Sequence, residues 1–70
     1  MNTIVVKNDI MSRLRVINGL SIRKLALMAE LDPVTIQKIE SHKSKPNPAT
    51  AQKICKALGV KFDEIFEIVG

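Results

Sequence analysis

The stretch AELDPVTIQKIE, residues 29 to 40, decides how the rest of the chain is read. Asp32 followed by Pro33 starts a helix for two independent reasons. A carboxylate at the N-cap accepts from amide protons that have no helical partner, and proline at the first helical position loses no hydrogen bond while its ring fixes φ. The helix then runs to Glu40 or Ser41. Ile36 and Ile39, one turn apart, form its inward side. Pro33, Val34, Gln37, Lys38 and Ser41 fall at i, i+1, i+4, i+5 and i+8, and so face outward. An apolar Val34 on the outward side of a first turn is not explained by packing.

Working upstream, Ser21 caps a second helix, IRKLALMA, with Ile22, Leu25, Ala26 and Ala29 inward. Before it, Asn8 or Asp9 caps a helix whose apolar positions Ile10, Leu14 and Ile17 recur at spacings of four and three, and Gly19 after Asn18 stops it. Downstream, the polar and basic segment SHKSKPNP ends in Asn47-Pro48. That pair repeats the cap-plus-proline device for a fourth helix through Leu58, which Gly59 closes. Phe62 to Phe66 make one further helical turn, with Phe62, Ile65 and Phe66 as its apolar side. The β-branched ends TIVV (3–6) and about 67–69 are each too short to stand alone. They pair as a two-stranded ribbon, the alternative being frayed termini. Residues 1–70 are thus expected to form a single, all-α domain of four to five helices with a short terminal ribbon.

Composition supports a small aliphatic core: 46% hydrophobic residues, no Trp or Tyr, and two Phe. Seventy residues bury only about 60–65% of the unfolded surface, which makes stability marginal and association helpful. The net charge of +4 favours a polyanionic partner. Its distribution is uneven. From Ser41 to Lys61 there are five lysines and no acid, whereas Asp63, Glu64 and Glu67 carry the charge of the C-terminal end. The lone Cys55 excludes an internal disulfide and a Cys-rich zinc site, reads as a small buried hydrophobe, and suits a reducing, cytoplasmic setting. One His and one Cys in dissimilar contexts offer no metal site and no nucleophile-base pair, so neither an enzyme nor a cofactor is expected. MNTIVVKND lacks the features of a secretory signal, and no segment has the length to span a bilayer.

Two short helices joined by a tight turn, the second opened by Asp-Pro and followed by a basic loop, make a helix-turn-helix over about residues 21–41. Its inward pattern agrees. Leu25, Ala26, Ala29, Leu31, Ile36 and Ile39 fall where such a unit needs apolar or small residues: Ala26 lets the helices approach and Leu31 plugs the turn. The run GLSIRKLALMAELDPVTIQKIESHKSKPNPATAQKICKALGV, Gly19 to Val60, resembles the Cro/CI-type (XRE-like) domain of lambdoid phage repressors and many bacterial regulators. The glycine-leucine start, the Leu-Ala pair, the Thr-Ile and Ile-Glu groups and Lys-Ala-Leu-Gly-Val stand in the family's order and spacing.

This resemblance implies the lambda-repressor-like fold and makes Pro33 to Ser41 a recognition helix for the major groove of double-stranded DNA. Pro33, Val34, Thr35, Gln37 and Lys38 are then the candidate base readers. Lys38 suits guanine O6 and N7, Gln37 suits adenine, and Val34 suits a thymine methyl; for Gln37 a solvated face is the competing reading. Thr35 reaches a base or a phosphate. Ser21, Ser41, His42, Lys43, Ser44 and Lys45 match family positions that grip phosphates, and Arg23, like Lys24, sits near that side. Arg15 and Glu40 match a family ion pair tying the first helix to the recognition helix. Three positions depart from the pattern. Glu30 and His42 replace glycines, and at Glu30 a left-handed conformation costs about 1 kcal/mol unless the turn differs. Ile22 stands where relatives carry a phosphate-binding glutamine, and can only pack.

The expected function is that of a sequence-specific transcriptional regulator, repressor-like, binding a palindromic operator as a homodimer. A single small module binds weakly, whereas two recognition helices about 34 Å apart read both half-sites. The apolar, acidic end, Phe62, Ile65, Phe66 and Ile68, with the ribbon, is the expected dimer interface. The alternative is an antitoxin-type interaction module that neutralises a partner protein and binds DNA only for autoregulation.

Overall fold

In a computed structural model, which describes residues 2–70, the chain runs β1 (Thr3–Val6), α1 (Ile10–Ile17), α2 (Ile22–Ala29), α3 (Pro33–Glu40), α4 (Pro48–Leu58), α5 (Phe62–Ile65), β2 (Phe66–Val69). The helices begin where side chains replace missing backbone partners. Ser21 Oγ accepts from the Lys24 amide at 3.0 Å, Asp32 from Val34 at 2.8 Å and Asn47 from Thr50 at 2.8 Å. Pro33 and Pro48 open α3 and α4. The first helix differs from expectation: Asp9 occupies its N-cap without a side-chain cap bond, and Asn8 sits before it with φ +46°.

Turn chemistry is equally local. Gly59 ends α4 in the left-handed region at φ +68°, where a Cβ costs most. Glu30 ends α2 at φ +58°, so the turn is left-handed and stands on a residue unsuited to it. The Leu31 amide donates to the Ala26 carbonyl at 2.8 Å, closing the helix end that holds Glu30 in place.

β1 and β2 are antiparallel, with Val6 opposite Phe66 and Thr3 opposite Val69. β2 therefore starts one residue before the expected 67, and Phe66 belongs to the strand rather than to the preceding helical turn. Ile4 and Val6 share a face with Ile68 and Phe66, which turns Val6 and Phe66 into the core.

That core joins every helix. Leu25 and Ala26 of α2, Ile36 and Ile39 of α3, Ala51, Ile54, Cys55 and Leu58 of α4, and Ile65 and Phe66 are buried together with Val6 and Met11. In α1 the stripe Ile10-Leu14-Ile17 is only partly right. Met11 is the buried residue, Ile10 and Leu14 pack half-buried, and Ile17 is 74% exposed. Apolar residues occur around the whole of α1, and it turns so that Met11 and Arg15, four apart, face the body together.

Candidate nucleic-acid interface

Burial of Ile36 and Ile39 fixes the rotation of α3, because residues three apart share a helix face. Pro33, Val34, Gln37 and Lys38 are all exposed on the remaining surface, and Thr35 is half-buried at its edge. Val34 is 53% exposed, an apolar side chain held in water at the first turn. The exposed part of α3 thus presents a methyl pair, an amide and an ammonium in sequence.

Around it lies a rim of donors. Ser21 is exposed, and its Oγ accepts from Lys24, which leaves the hydroxyl proton free to donate outward. Arg23 and Lys24 are exposed beside it and border a shallow groove with Leu27, Leu31 and Pro33. Beyond α3, Lys43, Ser44 and Lys45 are exposed on the loop to α4. Two members of the predicted phosphate set are already engaged. Ser41 Oγ donates back to the Gln37 carbonyl at 2.9 Å, and the His42 ring Nε2 meets the Asn8 carbonyl at 3.0 Å. His42 has φ +62°, the left-handed conformation that the usual glycine would adopt, and its ring ties this loop to the β1–α1 turn.

Behind α3, Arg15 Nε donates to Glu40 Oε2 at 2.8 Å and Arg15 Nη1 to the Leu20 carbonyl at 2.8 Å. One guanidinium therefore ties α1 to the end of α3 and to the residue before the cap of α2. Sequence reasoning missed Ser12, whose Oγ donates to Glu40 Oε1 at 2.6 Å. Its position three residues before Arg15 on a helix was the available signal.

The expected dimer interface needs correction. Ile65 and Phe66 are 0% exposed, filling the core under α4 and β1, and have no surface to offer a partner. Phe62 is half-buried with its ring 5.5 Å from that of Phe66, and only Ile68 of the four stands out, at 58% exposure. Cys55 is buried, and burial followed by the nearby Glu64 charge raises its thiol pKa. Among the described residues no three His, Cys, Asp or Glu side chains cluster to hold a metal, and no helix is long and apolar enough to cross a membrane.

Comparison with known proteins agrees with this fold. A helix-turn-helix family model, HTH_3, matches residues 11–65. No curated protein matches the sequence. Among solved structures, the restriction-modification controller protein C.AhdI from Aeromonas hydrophila is similar at TM-score 0.75 and 26% identity, over 77% of this chain and 82% of that one. An HTH_3 family transcriptional regulator from Vibrio cholerae matches at TM-score 0.70 and 31% identity over 74% of this chain, but this chain spans only 29% of its length. The clp gene regulator ClgR from C. glutamicum shares the fold at TM-score 0.70 and 20% identity, over 77% of this chain and 70% of that one. The family match covers most of the chain, both helices of the motif and most of the core that supports them: this protein belongs to the helix-turn-helix family HTH_3, as an XRE/Cro-like DNA-binding transcriptional regulator.

Proposed function

We propose that the protein is a repressor-like regulator that binds a palindromic operator as a homodimer, with α3 in the major groove. The observation that carries this reading is the surface of α3. Val34, Gln37 and Lys38 are exposed on a helix whose other side is locked into the core by Ile36 and Ile39. Such a helix offers chemically distinct groups to base edges on a rigid support. In this reading Pro33, Val34, Thr35, Gln37 and Lys38 meet bases. Ser21, Arg23, Lys43, Ser44 and Lys45 grip phosphates on either side. Ser41 and His42 act chiefly through the bonds that shape the end of α3, and reach phosphate through exposed edges alone.

Two copies double the grip of a module that by itself covers a small site. The second copy meets the first at the ribbon, through Ile68 and the adjoining Val69, which are 58% and 45% exposed. The similarity to a restriction-modification controller protein and to a transcriptional regulator supports control by operator occupancy. Selection of duplexes from a random pool tests the reading: it expects a motif with two inverted half-sites about one helical turn apart. A pool that stays random, or a motif without inverted symmetry, sinks it.

A further inference from the structure

Glu40 closes α3, and its two carboxylate oxygens are held unequally by Arg15. Nε donates to Oε2 at 2.8 Å, but Nη2 reaches Oε1 only at 3.3 Å. The short bond to Oε1 comes from Ser12 Oγ at 2.6 Å. Ser12 and Arg15 are three apart on α1 and so present their donors from one face. A hydroxyl bonded to an ionised carboxylate is among the stronger side-chain hydrogen bonds, and the site is favourable for it because the Glu40 side chain is 8% exposed.

Arg15 holds both carboxylate oxygens, but its bond to Oε1 is the longer and weaker of the two. Ser12 supplies the second short anchor. The carboxylate belongs to the same last turn as Gln37 and Lys38 and precedes Ser41, whose backbone amide donates to Gln37. Meanwhile Arg15 Nη1 holds the Leu20 carbonyl beside the cap of α2. Arg15 therefore bridges the residue before the cap of α2 and the end of α3, and Ser12 shares with it the carboxylate that ends α3.

We propose that Ser12 is a positioning residue for sequence reading: through Glu40 it fixes the last turn of α3 and with it the aim of Gln37 and Lys38, without touching DNA. This rests on the reading of α3 as the recognition helix. Groups that read base edges must be held to within about 0.5 Å, so a loosened last turn weakens base reading while flexible lysines still find phosphates.

The test uses the full chain and a duplex selected by the wild type, beside a scrambled duplex of equal length. Ser12→Ala is expected to lose about ten-fold in affinity for the selected duplex and to bind the scrambled one as before, whereas Ser12→Thr, which keeps the hydroxyl, stays within about two-fold of wild type. In an Arg15→Met, Glu40→Leu background, which has no side-chain acceptor at position 40, Ser12→Ala is expected to add no further loss, because the residue acts through that carboxylate. If Ser12→Ala does not fold, Ser12→Cys, nearly isosteric and a weak donor, is judged by the same criteria. Unchanged affinity for the selected duplex, an equal loss on both duplexes, a Thr variant as weak as the Ala one, or a further loss in the Arg15→Met, Glu40→Leu background each overturns the inference alone. A wild type that selects no motif overturns the recognition-helix reading and this inference together.

Discussion

Arg15 and Glu40 meet across the junction of α1 and α3 with 2.8 Å between Nε and Oε2, and their side chains are 15% and 8% exposed. Removing two charges from water offsets most of their attraction, so the pair orients more than it stabilises. Removing one member is a different matter, because the other stays desolvated. Glu40→Ala is expected to cost about 2–3 kcal/mol in urea unfolding. The double replacement Arg15→Met with Glu40→Leu is expected to recover most of that loss. A double variant as unstable as the single one would contradict this account.

Base readers and phosphate grips differ in what salt and sequence do to them. Val34→Ala and Lys38→Ala are expected to lower the preference for a selected duplex over a random one, each by about 1–3 kcal/mol. Lys43→Ala and Lys45→Ala are expected to weaken all duplexes alike and to reduce the slope of log K against log salt by about 0.9 for each phosphate no longer neutralised. Titrations at several salt concentrations separate the two groups. Identical behaviour of both pairs would show the groove assignment to be wrong.

Two positive-φ positions predict opposite outcomes. Glu30→Gly removes the strain of a left-handed glutamate at φ +58° and is expected to raise stability by about 0.5–1 kcal/mol. Gly59→Ala introduces the same strain at φ +68°. No atom lies within 4 Å of the added Cβ, so its loss of about 1 kcal/mol is a backbone cost alone. Thermal unfolding of the two variants gives both signs.

Phe66 and Ile68 stand two apart on β2, one inside the core and one outside. Phe66→Ala is expected to cost about 3–5 kcal/mol and to unfold much of the population. Ile68→Asp is expected to leave the monomer folded and to shift sedimentation toward it, with weaker operator binding. A folded Ile68→Asp that sediments as wild type would remove the ribbon from the dimer interface.

Cys55 gives a pH dependence with a definite sign. Burial, and then the Glu64 charge, raises its pKa in the folded protein from the ordinary value of 9.0. The unfolded chain therefore loses the thiol proton first, and this group's share of stability, complete below that pH, declines as pH rises past about 9. Urea midpoints at about pH 8 and about pH 10 are expected to diverge less in Cys55→Ala than in wild type.

The parts of the molecule legible in the sequence are those fixed by neighbours along the chain. Ser21, Asp32, Asn47, Pro33, Pro48 and Gly59 mark their helix ends through bonds and torsions spanning three or four residues. Ile36 and Ile39 select the buried side of α3 by spacing alone, and the exposed set follows from it. The β-branched character of the two short ends sufficed to pair them, though not to set the first residue of β2.

Other features have no local signal. The apolar positions of α1 surround the helix, so period alone could not choose Met11 over Ile17; packing against the shared core did. Ile65 and Phe66 look like any exposed apolar edge until β1 and α4 close over them. Ser12 acquires its role only because α3 delivers a carboxylate 28 residues away to within 2.6 Å of its hydroxyl. Where each helix starts and stops, and which side of the motif faces out, depends on energies within one or two turns, and so can be read from the order of residues. Which faces of α1 and of the C-terminal end are covered depends on packing between segments distant in the chain, and only the assembled core supplies those partners.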